Sequence, residues 1–116
     1  MSTIIATTLS NGSVSVPTAT VVNGSAKAWN NTNSSGTAIN DSFNISSLTD
    51  VDVGRQDHNV SSAFSTEFHI PVFSINNNFS ETWTDNLAST KWRTNVYTGS
   101  VYQDAGVRTS SHGDLA

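Results

Sequence analysis

An all-β fold, an antiparallel sandwich, is what this sequence predicts, from three observations. Apolar residues alternate with polar ones over short runs, turn-forming clusters recur every 8 to 15 residues or so, and no stretch repeats apolar residues at helical spacing. Glu, Lys, Leu and Ala, the strong helix formers, are sparse. About eight short strands at that spacing suit a β-sandwich of jelly-roll-like topology, with a small barrel as the alternative.

The elements follow in order. Residues 1–24 carry no Asp, Glu, Lys or Arg, are rich in Ser, Thr, Ile and Val, and contain Pro17. This segment is expected to be an extended N-terminal arm that pairs with a neighbouring chain, using Val14, Val16, Pro17, Val21 and Val22. The β-sandwich domain is expected over 25–116. In it, "SFNIS" places Phe43 and Ile45 on one face, and "EFHIPV" aligns Phe68, Ile70 and Val72. Further on, Trp92, Thr94 and Val96 alternate with Arg93, Asn95 and Tyr97, and Val107 and Thr109 with Arg108 and Ser110. Phe43, Phe68 and Trp92 are therefore expected in the core. Turns are expected at "NNTNSSG", "DVDVG", "INNNFS", "YTGS" and "DAG". Pro71 lacks an N–H, so its strand is expected at a sheet edge or bulged.

Composition narrows the function. The chain has 116 residues, enough for one domain with a modest core, and it has no cysteine to staple it. Oligomerisation is the expected supplement. Charged residues make up only 12%, whereas Ser, Thr and Asn together reach roughly forty per cent. A net charge of -4 with five scattered Lys and Arg disfavours nucleic acid as a partner. No basic and apolar leader opens the chain and no window approaches a membrane span, so neither secretion by a signal peptide nor membrane insertion is expected. The N-x-S/T sites at Asn11, Asn23, Asn30, Asn33, Asn40, Asn44, Asn59 and Asn78 are then by-products of composition.

Signals for chemistry are weak. His58, His69 and His112 lack the short spacings of metal ligands, and Asp50, Asp52 and Asp57 around "DVDVG" lack the further oxygen ligands of a Ca²⁺ loop. No G-x-S-x-G nucleophile elbow or phosphate loop occurs. No catalytic residue, metal site or cofactor is expected. Trp83, Tyr97 and Tyr102 fall near turns amid Asn and Asp, which suits either stacking on a sugar or packing on a neighbouring subunit.

One stretch points further. Residues 21–50 contain an Ala26, Lys27, Ala28, Trp29 step, a turn at Gly36, then Asp41, Ser42, Phe43, Asn44 and a Ser-Ser-Leu-Thr-Asp turn. This segment resembles one that recurs in small β-rich bacteriophage virion proteins of the tail fibre and minor tail type, and the final "HGDLA" resembles their endings. The resemblance implies a non-enzymatic virion structural protein, a homotrimer assembled in the host bacterial cytoplasm. Its implied role is a tail fibre or host-recognition component contacting other virion proteins and a host surface glycan. A head decoration (cement) protein bound to the major capsid protein is the alternative, and a free carbohydrate-binding module or small glycan-directed enzyme is the rival from another class.

Overall fold

The computed structural model describes residues 1–75 and 81–116, so most of the turn expected at "INNNFS" and the Asn78 site lie outside the described residues. Two four-stranded antiparallel sheets face each other. The strands are β1 (Thr8–Ser10), β2 (Ser15–Pro17), β3 (Ala28–Thr32), β4 (Ile39–Phe43), β5 (Ile45–Asp52), β6 (Arg55–Val60), β7 (Ile70–Ile75), β8 (Glu81–Ala88), β9 (Lys91–Tyr97) and β10 (Val107–His112). One sheet has the order β4-β3-β10-β7, the other β5-β6-β9-β8, and β1 pairs β2 in a separate hairpin. The chain closes on itself because β10 pairs with β3, its first strand in the sandwich.

Alternation locates the inner faces. Ala28, Asn30 and Thr32 point inward from β3, and Val107, Thr109 and Ser111 from β10. Gln56, His58 and Val60 come from β6, and Trp92, Thr94 and Val96 from β9. The apolar core is thin and divided: Ala28, Val60, Phe64 and Trp92 form one cluster, and Val96, Ala105 and Val107 the other. Polar side chains fill the space between. Trp92 Nε1 donates to Thr109 Oγ1 at 3.1 Å and so ties β9 to β10 across the sandwich. His69 Nε2 donates to the Ala88 carbonyl at 3.0 Å, while its Nδ1 pairs with the Ser111 hydroxyl at 2.7 Å. The Phe64 ring stacks on His69 at 4.2 Å.

Two expected core residues are outside. Phe68 is 81% exposed, and Ile70 and Val72 are exposed with it. In β7 the inward residues are Pro71, Phe73 and Ile75, because they pair with Ser111, Thr109 and Val107 of β10, whose own inner face is fixed by Trp92 and the core. Both faces of "IPVFSI" are largely apolar, so period two alone does not choose between them. Phe43 is 55% exposed. Asn44 takes φ 56, which ends β4 and turns the chain across to the other sheet, so that Ile45 reaches the core cluster while Phe43 stays on the outer face. Trp92 is fully buried, as expected. Pro71 lies on an edge strand, where its missing N–H disrupts no central ladder.

The turns have local causes. In "NNTNSSG", Asn33 Oδ1 accepts the N–H groups of Thr37 and Ala38. At "DVDVG", Gly54 takes φ 68, and a Cβ there would lie 2.7 Å from Gln103 N and Val96 O, so only glycine fits. Residues 1–24 contain the β1–β2 hairpin followed by a helix, α1 (Thr18–Gly24), which alternation in the sequence does not predict. Pro17 immediately precedes the helix and α1 has no buried residue. Among the described residues, the arm's hydrogen bonds stay within itself and with the adjoining Ser25 and Lys27. The resulting shape is elongated: its radius of gyration is 16.4 Å, against about 13 Å for a compact chain of this length.

Candidate functional site

The two outer faces of the sandwich differ in chemistry, and that difference organises the sequence-predicted residues. On the β4-β3-β10-β7 face, the register aligns Phe43 with Trp29, Trp29 with Ser110 and Ser110 with Val72. Ile70, paired with His112, extends this strip. Phe43, Trp29, Val72 and Ile70 are all exposed, which makes an apolar band on β4, β3 and β7, interrupted at β10 by Ser110. More large apolar side chains are exposed than are buried in the described chain.

The virion-like motif is split by the fold. Ala26 and Lys27 lead into β3, where Ala28 is buried and Trp29 points outward. Asp41, Ser42 and Phe43 lie opposite β3 on β4, with Asp41 facing Asn31. Asn44 ties the crossing together: its Nδ2 donates to Lys27 O at 3.0 Å and Ser62 O at 3.1 Å, and its Oδ1 accepts from Ser62 N at 2.7 Å. The motif thus builds the crossing between sheets and half of the apolar band. It does not converge on a catalytic arrangement.

The arm residues lie apart from both faces. Val14 sits in the β1–β2 turn, Val16 and Pro17 in β2, and Val21 and Val22 in α1. Leu9, Ser10, Asn11, Val14 and Val16 line a shallow apolar hollow in the hairpin.

The opposite face, β5-β6-β9-β8, is polar and charged. Asp57 accepts from Arg93 Nε at 2.6 Å and from Lys91 Nζ at 2.7 Å. Burial pushes the Asp57 carboxyl up, but the hydrogen bonds and charges of Arg93 and Lys91 outweigh it and leave its pKa below the usual value. Arg93 is correspondingly raised, chiefly by its hydrogen bond to Asp57. Inside this sheet, burial lowers the His58 pKa to about 4, with Asp57 acting weakly in the other direction. His58 Nε2 lies 2.9 Å from Thr94 Oγ1, and its ring stacks on Trp92.

At the Tyr97 end of this face the structure brings together all three aromatic residues that sequence singled out. The rings of Tyr97 and Tyr102 are 5.2 Å apart, and those of Trp83 and Tyr102 are 5.9 Å apart. Arg55, which sequence did not single out, places its guanidinium 4.0 Å above the Tyr102 ring and donates to the Tyr102 hydroxyl. Register explains the convergence: Arg55 and Trp83 both lie opposite Asn95, on either side of β9. The loop that carries Tyr102 is pinned where Gly54 N donates to Asp104 Oδ1 at 2.7 Å and Gln103 N to Val96 O at 3.1 Å.

Among the described residues, no group of three or more His, Asp or Glu could hold a metal ion, and no helix is long and apolar enough to cross a membrane. No protein-family model, no curated protein and no solved structure matches the chain.

Proposed function

We propose that this chain is a non-enzymatic structural protein of a bacteriophage particle, a homotrimer displayed on the virion surface as a tail fibre or host-recognition component. The observation that carries the reading is an inversion of burial: a thin, half-polar core inside, with an apolar band and an unpartnered arm outside. A domain that keeps Trp29, Phe43, Val72 and Ile70 in water gains by covering them, and symmetric self-association does so with one surface. The resemblance of residues 21–50 to virion proteins supplies the context, and a weakly charged, cysteine-free surface suits assembly in a bacterial cytoplasm.

A second reading, a head decoration protein, is favoured by the arm. A two-stranded hairpin leaves backbone groups on both outer edges open to strand addition by a capsid subunit. Immunogold labelling of the parent particle separates the two, with label at the tail tip expected for the first and over the head for the second. Absence of label from the particle sinks both.

Two variants test the surfaces separately. Removal of residues 1–17 is expected to leave a folded sandwich that no longer joins the particle, measured by circular dichroism and by co-sedimentation with particles. An unfolded product would show that the arm supports the core. Val72→Asp puts a charge into the apolar band at its β7 side and is expected to convert the oligomer to monomer in analytical ultracentrifugation, with the far-UV spectrum unchanged. An oligomer that withstands Val72→Asp would place the subunit contact elsewhere.

A further inference from the structure

Trp83 is 37% exposed on a face that is otherwise polar, so its indole is not there to fill the core. Its position is nevertheless fixed. Asn95 Nδ2 donates to the Trp83 carbonyl at 3.3 Å, the Tyr102 ring abuts the indole, and Arg55 holds Tyr102 from the other side. A ring held in place with part of its surface in water has already lost the freedom that a ligand would otherwise have to freeze.

The polar groups around it form a specific set. Trp83 Nε1 lies 3.4 Å from Asp85 Oδ2, a long contact that leaves the carboxylate able to accept from another donor. Arg55 Nε is buried and has no hydrogen-bond partner among the described residues, although the same guanidinium serves Tyr102. The Tyr97 and Tyr102 rings meet edge to face at the same corner, where the Tyr102 hydroxyl accepts from Arg55. An aromatic face beside an acceptor and several donors matches a pyranose, whose C–H face stacks on a ring while its hydroxyls pair around the rim.

Other ligand classes fit less well. A nucleic acid needs cations to spare, but Asp57 already engages both Lys91 and Arg93 on this face. An extended peptide would add along a sheet edge, whereas this cluster is built from side chains on the flat of the sheet: Trp83 and Asp85 belong to the edge strand β8, but Arg55 and Tyr97 to the inner strands β6 and β9.

We propose that Trp83, Asp85, Tyr97, Tyr102 and Arg55 form a subsite for one neutral pyranose residue of a surface polysaccharide. The subsite deepens the host-recognition reading and rests on it for its biological setting, but its chemistry requires only that this face be free. Assembly through the opposite, apolar face leaves it so.

The test is affinity electrophoresis of the full chain in gels containing one of the neutral polysaccharides dextran, mannan, galactan or hydroxyethyl cellulose. Retardation by at least one is expected, and Trp83→Ala should weaken it about tenfold, the scale of one aromatic stacking contact with its buried area. Trp83→Phe, which keeps a ring, should retain more binding than Trp83→Ala, and Asp85→Asn should lower binding without altering near-UV circular dichroism. No retardation in any gel, or retardation unchanged by Trp83→Ala in a folded variant, overturns the subsite. Binding by a protein that immunogold finds nowhere on the particle would keep the subsite and sink the virion reading; labelling without binding would do the reverse.

Discussion

Acidification from pH 7 to pH 4 is expected to cost the fold about 3 kcal/mol through His58 alone. The side chain is fully buried beside Trp92, and its only hydrogen-bond partner among the described residues is the Thr94 hydroxyl, so a charged imidazole there lacks solvation. Unfolded, the group titrates near 6.5; folded, near 4. Between those values the unfolded chain binds a proton that the native state refuses, so stability is full above pH 6.5 and falls progressively down to about 4. Asp57 acts lower: its folded pKa lies below 3.8, so its contribution is lost only as the medium becomes more acid than that. Urea denaturation at a series of pH values checks this, with His58→Gln as the control. The Gln amide can still pair with Thr94 but does not titrate, and its stability curve should be flat over the window in which wild type declines. An identical decline in His58→Gln would assign the acid sensitivity to other groups.

Asn44→Ala is expected to cost about 2 to 3 kcal/mol and lower the midpoint of chemical unfolding accordingly. Two effects add. At φ 56 an alanine pays the left-handed penalty that asparagine largely avoids. The backbone groups of Lys27 and Ser62 also lose the side chain that pairs with them where the chain crosses between sheets. Asn44→Gly separates the effects, because glycine accepts the dihedral but restores no hydrogen bond. Its loss should be smaller than that of alanine. Equal losses would assign the whole effect to the hydrogen bonds.

The strand rhythm was legible because it is local. Val107 and Thr109 against Arg108 and Ser110, and Trp92, Thr94 and Val96 against Arg93, Asn95 and Tyr97, keep one face small or apolar and the other polar, and both strands fold in that alternation, although Asn95 on the outer face is buried between β6 and β8. The edge position of Pro71 follows from a missing donor, which is likewise a property of one residue. "IPVFSI" fails the same test, since nearly every position is apolar and only pairing with β10 chooses the inner face. α1 has no apolar stripe to announce it, and its seven residues bury nothing.

For the candidate site, sequence could nominate Trp83, Tyr97 and Tyr102 from their polar neighbours and leave two explanations open. It could not supply Arg55, because the meeting of β6 and β8 on either side of Asn95 is a matter of register between distant segments. Composition and periodicity by themselves determined a weakly charged, all-β, cysteine-free chain with a thin core, since these depend on residue counts and on the two-residue repeat of a strand. The tertiary structure alone decided which apolar residues face water and which aromatics meet. Those outcomes depend on strand order, on register and on the turn at Asn44, where one left-handed residue leaves Phe43 on the outer face and sends Ile45 to the core.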